Sequence, residues 1–202
     1  RLVFGMVSNQ TRTFSSRQGT YAPRLVVEYQ RRVTLNIQSD SYVSQADPDT
    51  NYGSVTQVNT ARNATTFQEQ HALFRSDALP FPIGSTVISA VLELHTTMNQ
   101  MQVNAPQADF VVAPEAIMDS WGESTVKWSN APDSVAMGDP SVTFVGLPSM
   151  TRFDVTNIAQ GWASGALLNY GIKLVPDGSS TGSVFFDARE GPIPPQLIVT
   201  YG

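Results

Sequence analysis

The segment DPDTNYG (47–53) contains side chains that could bind a metal ion. Asp47, Asp49 and Asn51 stand at alternate positions, which is the spacing of oxygen ligands in a calcium-binding loop. The EF-hand is excluded, because its sixth and twelfth positions require Gly and Glu and neither is present here. Two interpretations remain open: a calcium site completed by backbone carbonyls, or a turn in which these side chains bond their own backbone. The sequence predicts no cofactor, apart from structural calcium in the first of these interpretations.

Five aromatic and arginine side chains are candidates for binding a carbohydrate. Trp121 and Trp128 bracket an irregular segment, and Tyr52 precedes a glycine at a turn. These rings could stack on the apolar C–H face of a pyranoside. Arg75 and Arg189 could hold a uronate carboxylate through two parallel hydrogen bonds. Each of the five also has a structural alternative, because a ring can anchor a loop and an arginine can close a sheet edge.

The sequence lacks the patterns that catalysis requires. Asp119 and Glu123 are close together, and glycoside hydrolysis uses two carboxylates, but no second acidic cluster accompanies them. His71 and His95 are too few for a zinc triad, and no G-x-S-x-G, H-E-x-x-H or P-loop pattern occurs. The absence of cysteine excludes disulfides, cysteine-ligated zinc and cysteine nucleophiles. We therefore predict that the protein is not an enzyme.

Composition argues against two further classes of protein. Of the 202 residues, 41% are apolar, which is enough for a packed core, and only 14% are charged. The net charge is −5, whereas a nucleic-acid-binding face must be basic to neutralise phosphates. No apolar run approaches the ~18 residues of a membrane span. We therefore expect no nucleic-acid partner and no membrane span.

An internal repeat links the two ends of the sequence. Residues 1–29 and 173–201 align without a gap and share ten identities. In one interpretation, residues 1–29 are the closing strands of a preceding or strand-exchanged repeat, residues 30–34 are a joint, and residues 35–202 are a complete sandwich. The alternative is two similar hairpins in one domain. In the first interpretation another module must cover the assembly strands of residues 1–29, which contain Phe14, Leu25, Val27 and Tyr29.

Short strands must position all these residues. Between residues 86 and 97, apolar side chains at 88, 90, 92 and 94 alternate with outward ones, which is the period of a half-buried strand. Gly- and Pro-rich turns separate six shorter β-rich runs. The segment NIAQGWASG predicts a short helix with Ile158 and Trp162 on one face. The whole pattern predicts an all-β fold, an antiparallel β-sandwich or jelly roll, with one helical turn that plugs the core through Trp162.

Five phrases in a fixed order resemble the DNRLRE-type repeat domain, a β-sandwich module also classed among carbohydrate-binding modules. Residues 1–29 resemble only the closing segment of that family. The chain departs from the family pattern at Ser76, where an aromatic residue is usual, and in a polar insert around residues 99–107. The phrases are SYVSQADPDTNYGS (41–54), HALFRSDALPFPIGSTVISAVLELH (71–95), WGESTVKWSNAP (121–132), RFDVTNIAQGWASGALLNYGIKL (152–174) and FFDAREGPIPPQLIVTY (185–201).

The resemblance implies an extracellular or cell-surface protein whose module is not catalytic and occurs in tandem or beside polysaccharide-degrading enzymes. Two function hypotheses follow. In the favoured one, the protein is a structural module that assembles with copies of itself or with adjacent repeats into a surface fibre or matrix, because residues 1–29 have no body of their own. The alternative is a carbohydrate-binding module for polysaccharide, in particular acidic polysaccharide, which some members of the family are assigned to bind.

Overall fold

Alternating inward and outward side chains make antiparallel strands the dominant element of this protein. The computed structural model describes residues 17–20, 30–66, 68–99, 109–145, 149–178 and 180–202. In chain order the elements are β1 (Arg31–Asn36), β2 (Ser39–Ser44), β3 (Gln57–Arg62), β4 (Glu69–Arg75), β5 (Val87–Asn99), β6 (Phe110–Ile117), β7 (Ser134–Val135), β8 (Val142–Phe144), β9 (Met150–Asp154), α1 (Thr156–Ser164), β10 (Ile172–Pro176), β11 (Gly182–Asp187) and β12 (Gln196–Tyr201).

The strands form two layers that are joined along one side. The first layer has the order β1-β12-β5-β9. The second has the order β11-β3-β4-β10-β6, with β2 paired to β4, and β7 and β8 paired to β6. β5 belongs to both layers, because its body pairs with β12 and β9 while its last residues pair with β11. All pairings are antiparallel, so the predicted antiparallel β-sandwich is confirmed.

Aromatic side chains from both layers fill the space between them. The ring of Phe144 lies 6.1–6.5 Å, centroid to centroid, from those of Phe110, Phe153 and Phe186, and all four side chains are buried. Tilted contacts at this separation suit the quadrupoles of aromatic rings. Since residues from β6, β8, β9 and β11 meet in this one cluster, it holds the two layers in a fixed relative position.

The helix α1 closes the core as the sequence predicts. The carboxylate of Asp139 accepts hydrogen bonds from two amides of its first turn at 2.7 and 3.0 Å, which satisfies donors that have no partner within the helix. The helix ends at Gly165, whose φ of +76° favours glycine. Ile158 is fully buried and Trp162 is 4% exposed, and both pack into the main core. The structural role predicted for Trp162 is therefore confirmed.

Two details differ from the predictions. Ile88 is 46% exposed rather than buried, because the pairing of β5 with β12 is irregular at this end and turns Val87 inward instead. Most of the predicted joint, residues 31–34, belongs to β1, which pairs with β12 along its whole length. Val33 and Leu35 pack against the core, and this burial extends the sandwich to residue 31.

The predicted assembly strands belong to residues 1–29. Phe14, Leu25, Val27 and Tyr29 lie outside the described residues. The second copy of the repeat, residues 173–201, forms most of β10 and all of β11 and β12. The sequence shared by the two segments therefore corresponds, in its second copy, to three paired strands of the sandwich.

Candidate functional site

A small second core explains the position of Trp121. The segment between β6 and β7, residues 118–133, is called the Trp121 segment. It folds over the outer side of the second layer, where Trp121 packs with Val43, Leu73, Ile117 and Val126. Its ring nitrogen donates a hydrogen bond of 2.8 Å to a backbone carbonyl, and only 8% of the residue is exposed. Because its ring lies within this core, Trp121 anchors the segment and offers no open face for a sugar. This burial favours the structural alternative for Trp121.

Trp128 lies at the edge of the same core. It begins a short 3-10 turn, is half-buried, and has its ring 5.1 Å from that of His71. Burial lowers the pKa of His71, although the neighbouring Glu69 acts in the opposite direction. An uncharged imidazole suits a position against an aromatic ring. Trp128 therefore also fixes the loop, with a partly accessible ring.

Arg75 is fully engaged in holding the second core. Its guanidinium lies 5.2 Å from the ring centre of Trp121 and donates to the carbonyl of the same residue at 2.8 Å. Its other nitrogens donate to Asp77 at 2.8 Å and to Ser39 at 3.2 Å. Each of its three nitrogens donates to a protein acceptor, which favours the structural alternative for Arg75.

Arg189 is part of a network of three carboxylates. Its guanidinium lies 3.0 Å from Glu123 and 2.5 Å from Glu190. Its backbone N–H donates to buried Asp40 at 2.6 Å, while the backbone N–H of Asp40 donates to Glu123 at 2.9 Å. Burial raises the pKa of Asp40 to about 7, against the hydrogen bond from Arg189. The network ties β2, the Trp121 segment and the turn after β11 together.

The predicted calcium ligands bond to different parts of the protein. Asp47 accepts a hydrogen bond from the hydroxyl of Tyr52 at 3.2 Å, and Asp49 accepts one from Ser129 at 2.9 Å. Asn51 donates to two backbone carbonyls of the Trp121 segment at 2.7 and 2.8 Å. Within the described part of the chain, no group of three or more His, Cys, Asp or Glu side chains is arranged to hold a metal ion. Calcium binding stays a prediction.

Tyr52 is half-buried, and it is the one predicted aromatic candidate that belongs to neither core cluster of the described residues. Its ring stacks on that of Tyr42, with centroids 4.0 Å apart and planes 17° from parallel. Tyr42 comes from β2 and packs against the main core. The pair therefore places a supported aromatic ring at the protein surface.

A surface depression on the first layer was not predicted from the sequence. It has a volume of about 380 Å³ and lies on the solvent side of β1, β12, β5 and β9. Its lining consists of two arginines, one glutamate, two side chains with hydroxyl groups and two apolar side chains. The lining residues are Arg32, Ser89, Val91, Glu93, Arg152, Ile198 and Thr200.

The two arginines of this depression differ in their surroundings. Arg152 forms an ion pair of 2.6 Å with Glu93 and keeps 65% of its side chain exposed. Arg32 is exposed, and within the described residues no carboxylate lies within 4.0 Å of its guanidinium. The alternation of β5 indicates that Ser89, Val91 and Glu93 face outward. No sequence signal places them beside Arg32, because strand order is set by the tertiary fold.

Comparison with protein-family models connects this sandwich to carbohydrate binding. The model of a family described as carbohydrate-binding module family 96 matches residues 31–201. The chain belongs to carbohydrate-binding module family 96. The match begins at the first residue of β1 and ends at the last residue of β12, so it covers the whole described sandwich. The carbohydrate-binding class expected from the resemblance is thus confirmed. No curated protein matches the chain.

The family assignment changes the weight of the two function hypotheses. It supports carbohydrate binding, which was the alternative, and not the favoured assembly into a fibre. It indicates no enzymatic family, in agreement with the lack of a catalytic pattern. In the part of the chain that the structure describes, no helix is both long and apolar enough to span a bilayer.

Proposed function

We propose that this member of carbohydrate-binding module family 96 is a non-catalytic extracellular module that binds acidic polysaccharide in the depression of the first layer. The observation that carries the proposal is Arg32, an exposed arginine that lines the depression with two apolar side chains and has no carboxylate of the described residues as its partner. A planar guanidinium matches a carboxylate through two parallel N–H···O bonds, which makes arginine suited to uronate sugars.

The other lining residues fit the remaining parts of a uronate. Val91 and Ile198 are half-buried and supply apolar side chains for the C–H groups of the sugar ring. Ser89 and Thr200 offer hydroxyls that can donate to or accept from sugar hydroxyls. With two arginines against one glutamate, the lining is locally positive although the whole chain carries −5. An anionic chain is therefore favoured here over a neutral one.

Affinity electrophoresis tests the proposal directly. Wild-type protein should be retarded in gels containing polygalacturonate and much less in gels containing the methyl-esterified polymer, which has the same backbone without the charge. Arg32→Ala should weaken the retardation about tenfold or more, the size of a charge-assisted hydrogen bond. Arg31→Ala is the matched control, because it removes the same charge from the neighbouring residue, which lies on the opposite face of β1.

Two results would count against this function. Equal retardation of the wild type and Arg32→Ala would show that the polymer does not bind at the assigned site. If neither polygalacturonate nor another uronate polymer retards the folded wild type, acidic polysaccharide is excluded as the ligand class. Raising the salt concentration should weaken the interaction, since it screens the exposed charges.

Assembly with another sandwich is a second candidate function, favoured by the repeat. Leu197, Val199 and Tyr201 in β12 are all buried, and residues 1–29 carry the same residue types at Leu25, Val27 and Tyr29. We expect such a segment to be stable only against the body of another module. Sedimentation of the full chain at rising concentration should show self-association that Val27→Asp reduces. A monomer at every concentration would contradict this candidate.

A further inference from the structure

The stacked pair of Tyr42 and Tyr52 has a geometry that neither core requires. Tyr42 packs against the main core, but Tyr52 belongs to neither core cluster of the described residues. One face of Tyr52 lies on Tyr42, 4.0 Å away and nearly parallel. No second aromatic ring of the described residues lies against Tyr52. The ring is thus supported from beneath and partly exposed.

The loop that carries Tyr52 is held firmly on both sides of the tyrosine. On one side, Asn51 donates hydrogen bonds of 2.8 and 2.7 Å to the carbonyls of Glu123 and Val126. On the other, Gly53 packs so closely on Glu123 that an added Cβ would lie 2.0 Å from its carbonyl oxygen. The Tyr52 hydroxyl is fixed by Asp47 at 3.2 Å. A ring held in this way loses little conformational freedom when a ligand covers it.

The chemistry beside the ring selects the ligand class. Asp47, whose carboxylate accepts a hydrogen bond from the Tyr52 hydroxyl, is exposed, and its negative charge opposes a uronate. The same carboxylate can accept hydrogen bonds from sugar hydroxyls, which are donors. Burial and Asp47 raise the pKa of Tyr52, so the phenol keeps its proton and remains a neutral ring that can stack. An uncharged pyranose, with an apolar C–H face and hydroxyl rim, complements this surface.

We propose that Tyr52, supported by Tyr42 and flanked by Asp47, forms a second glycan-binding site that takes a neutral sugar unit. It lies in the loop between β2 and β3, whereas the depression that contains Arg32 is built from β1, β12, β5 and β9. The first site favours an acidic chain and the second a neutral chain, so one module can hold both. The proposal rests on carbohydrate binding as the family's role, but not on the Arg32 site.

The test uses affinity electrophoresis of the full chain in gels containing mixed-linkage β-glucan, galactomannan or starch. We expect at least one neutral polymer to retard the wild type, and Tyr52→Ala to weaken that binding about tenfold, as for a central aromatic anchor. Tyr52→Phe is the matched control, because it keeps the ring and removes only the hydroxyl. Arg32→Ala should leave binding of the neutral polymer unchanged and weaken binding of polygalacturonate.

Three results would overturn the second site. They are no retardation of the folded wild type by any neutral polymer, equal binding by Tyr52→Ala and the wild type, and loss of neutral binding in Arg32→Ala. Thermal unfolding checks that each variant is folded. If Tyr52→Ala is unstable, Tyr52→Ile replaces it, because isoleucine keeps an apolar side chain without a flat ring. A folded wild type that binds a neutral polymer but no uronate polymer would contradict the first site and leave this one standing.

Discussion

Protonation of Asp40 should control the stability of the fold. Asp40 is 1% exposed, and Glu123 and Glu190 face it together with Arg189. Burial, the largest influence, raises its pKa from 3.8 to about 7, and the two glutamates act in the same direction. The folded state therefore binds the proton more tightly than the unfolded state. The contribution to stability is full below about pH 4, declines as the pH rises, and is lost above pH 7.

The size of this effect follows from the pKa change. A rise from 3.8 to about 7 corresponds to a loss of up to about 4 kcal/mol in the free energy of unfolding. Asp40→Asn keeps the shape and an acceptor for the Arg189 N–H but cannot ionise. The variant should therefore become more stable relative to wild type as the pH rises from about 4 to 7, with a constant difference above that range.

Urea unfolding followed by tryptophan fluorescence measures this difference at each pH. Any fixed cost of the amide shifts all points equally, so the slope with pH carries the information. Asp49→Asn is the control, because it makes the same substitution at an exposed position. A difference between Asp40→Asn and wild type that is independent of pH, or that shrinks as the pH rises, would refute the reasoning.

Three further predictions concern the loops around the candidate sites. Trp121→Ala should lower the free energy of unfolding by about 3–5 kcal/mol in urea titrations, because it empties the second core, and should leave polygalacturonate binding of the folded fraction unchanged. Gly171→Ala should lower the melting temperature, because φ is +103° and the new Cβ would lie 2.3 Å from a backbone carbonyl oxygen; an unchanged calorimetric transition would contradict this. Calcium should leave the melting temperature unchanged, because Asp47, Asp49 and Asn51 already have separate protein partners, and a rise at millimolar calcium would instead support the calcium-site interpretation.

The fold could be predicted because its signals are local. Alternation along β5 correctly places Ala90, Leu92 and Leu94 in the core, and the spacing of Ile158 and Trp162 correctly predicts the buried face of α1. Where strand pairing departs from regularity, the same rule fails, as at the exposed Ile88. Such an irregularity depends on the neighbouring strand, which a pattern within one segment does not contain.

The candidate sites were harder to predict because they depend on which segments meet. Trp121 and Tyr52 look alike as candidates in the sequence, since each is followed by glycine. Burial separates them: the loop of Trp121 folds inward over a small core, whereas Tyr52 stacks on Tyr42 at the surface. Arg32 fell within a predicted joint, and it became a candidate only when the strands around it were in place.

The pairing of β1 with β12 determines how this module responds to tension. Arg31 lies opposite Tyr201, so the first and last residues of the sandwich leave the same corner side by side. A pull on both ends would unzip the two strands one hydrogen bond after another, instead of loading all their bonds in shear. Arg32, which pairs with Thr200, is next to that corner. A polymer bound at Arg32 would therefore be among the first contacts released when the module is stretched from its two ends.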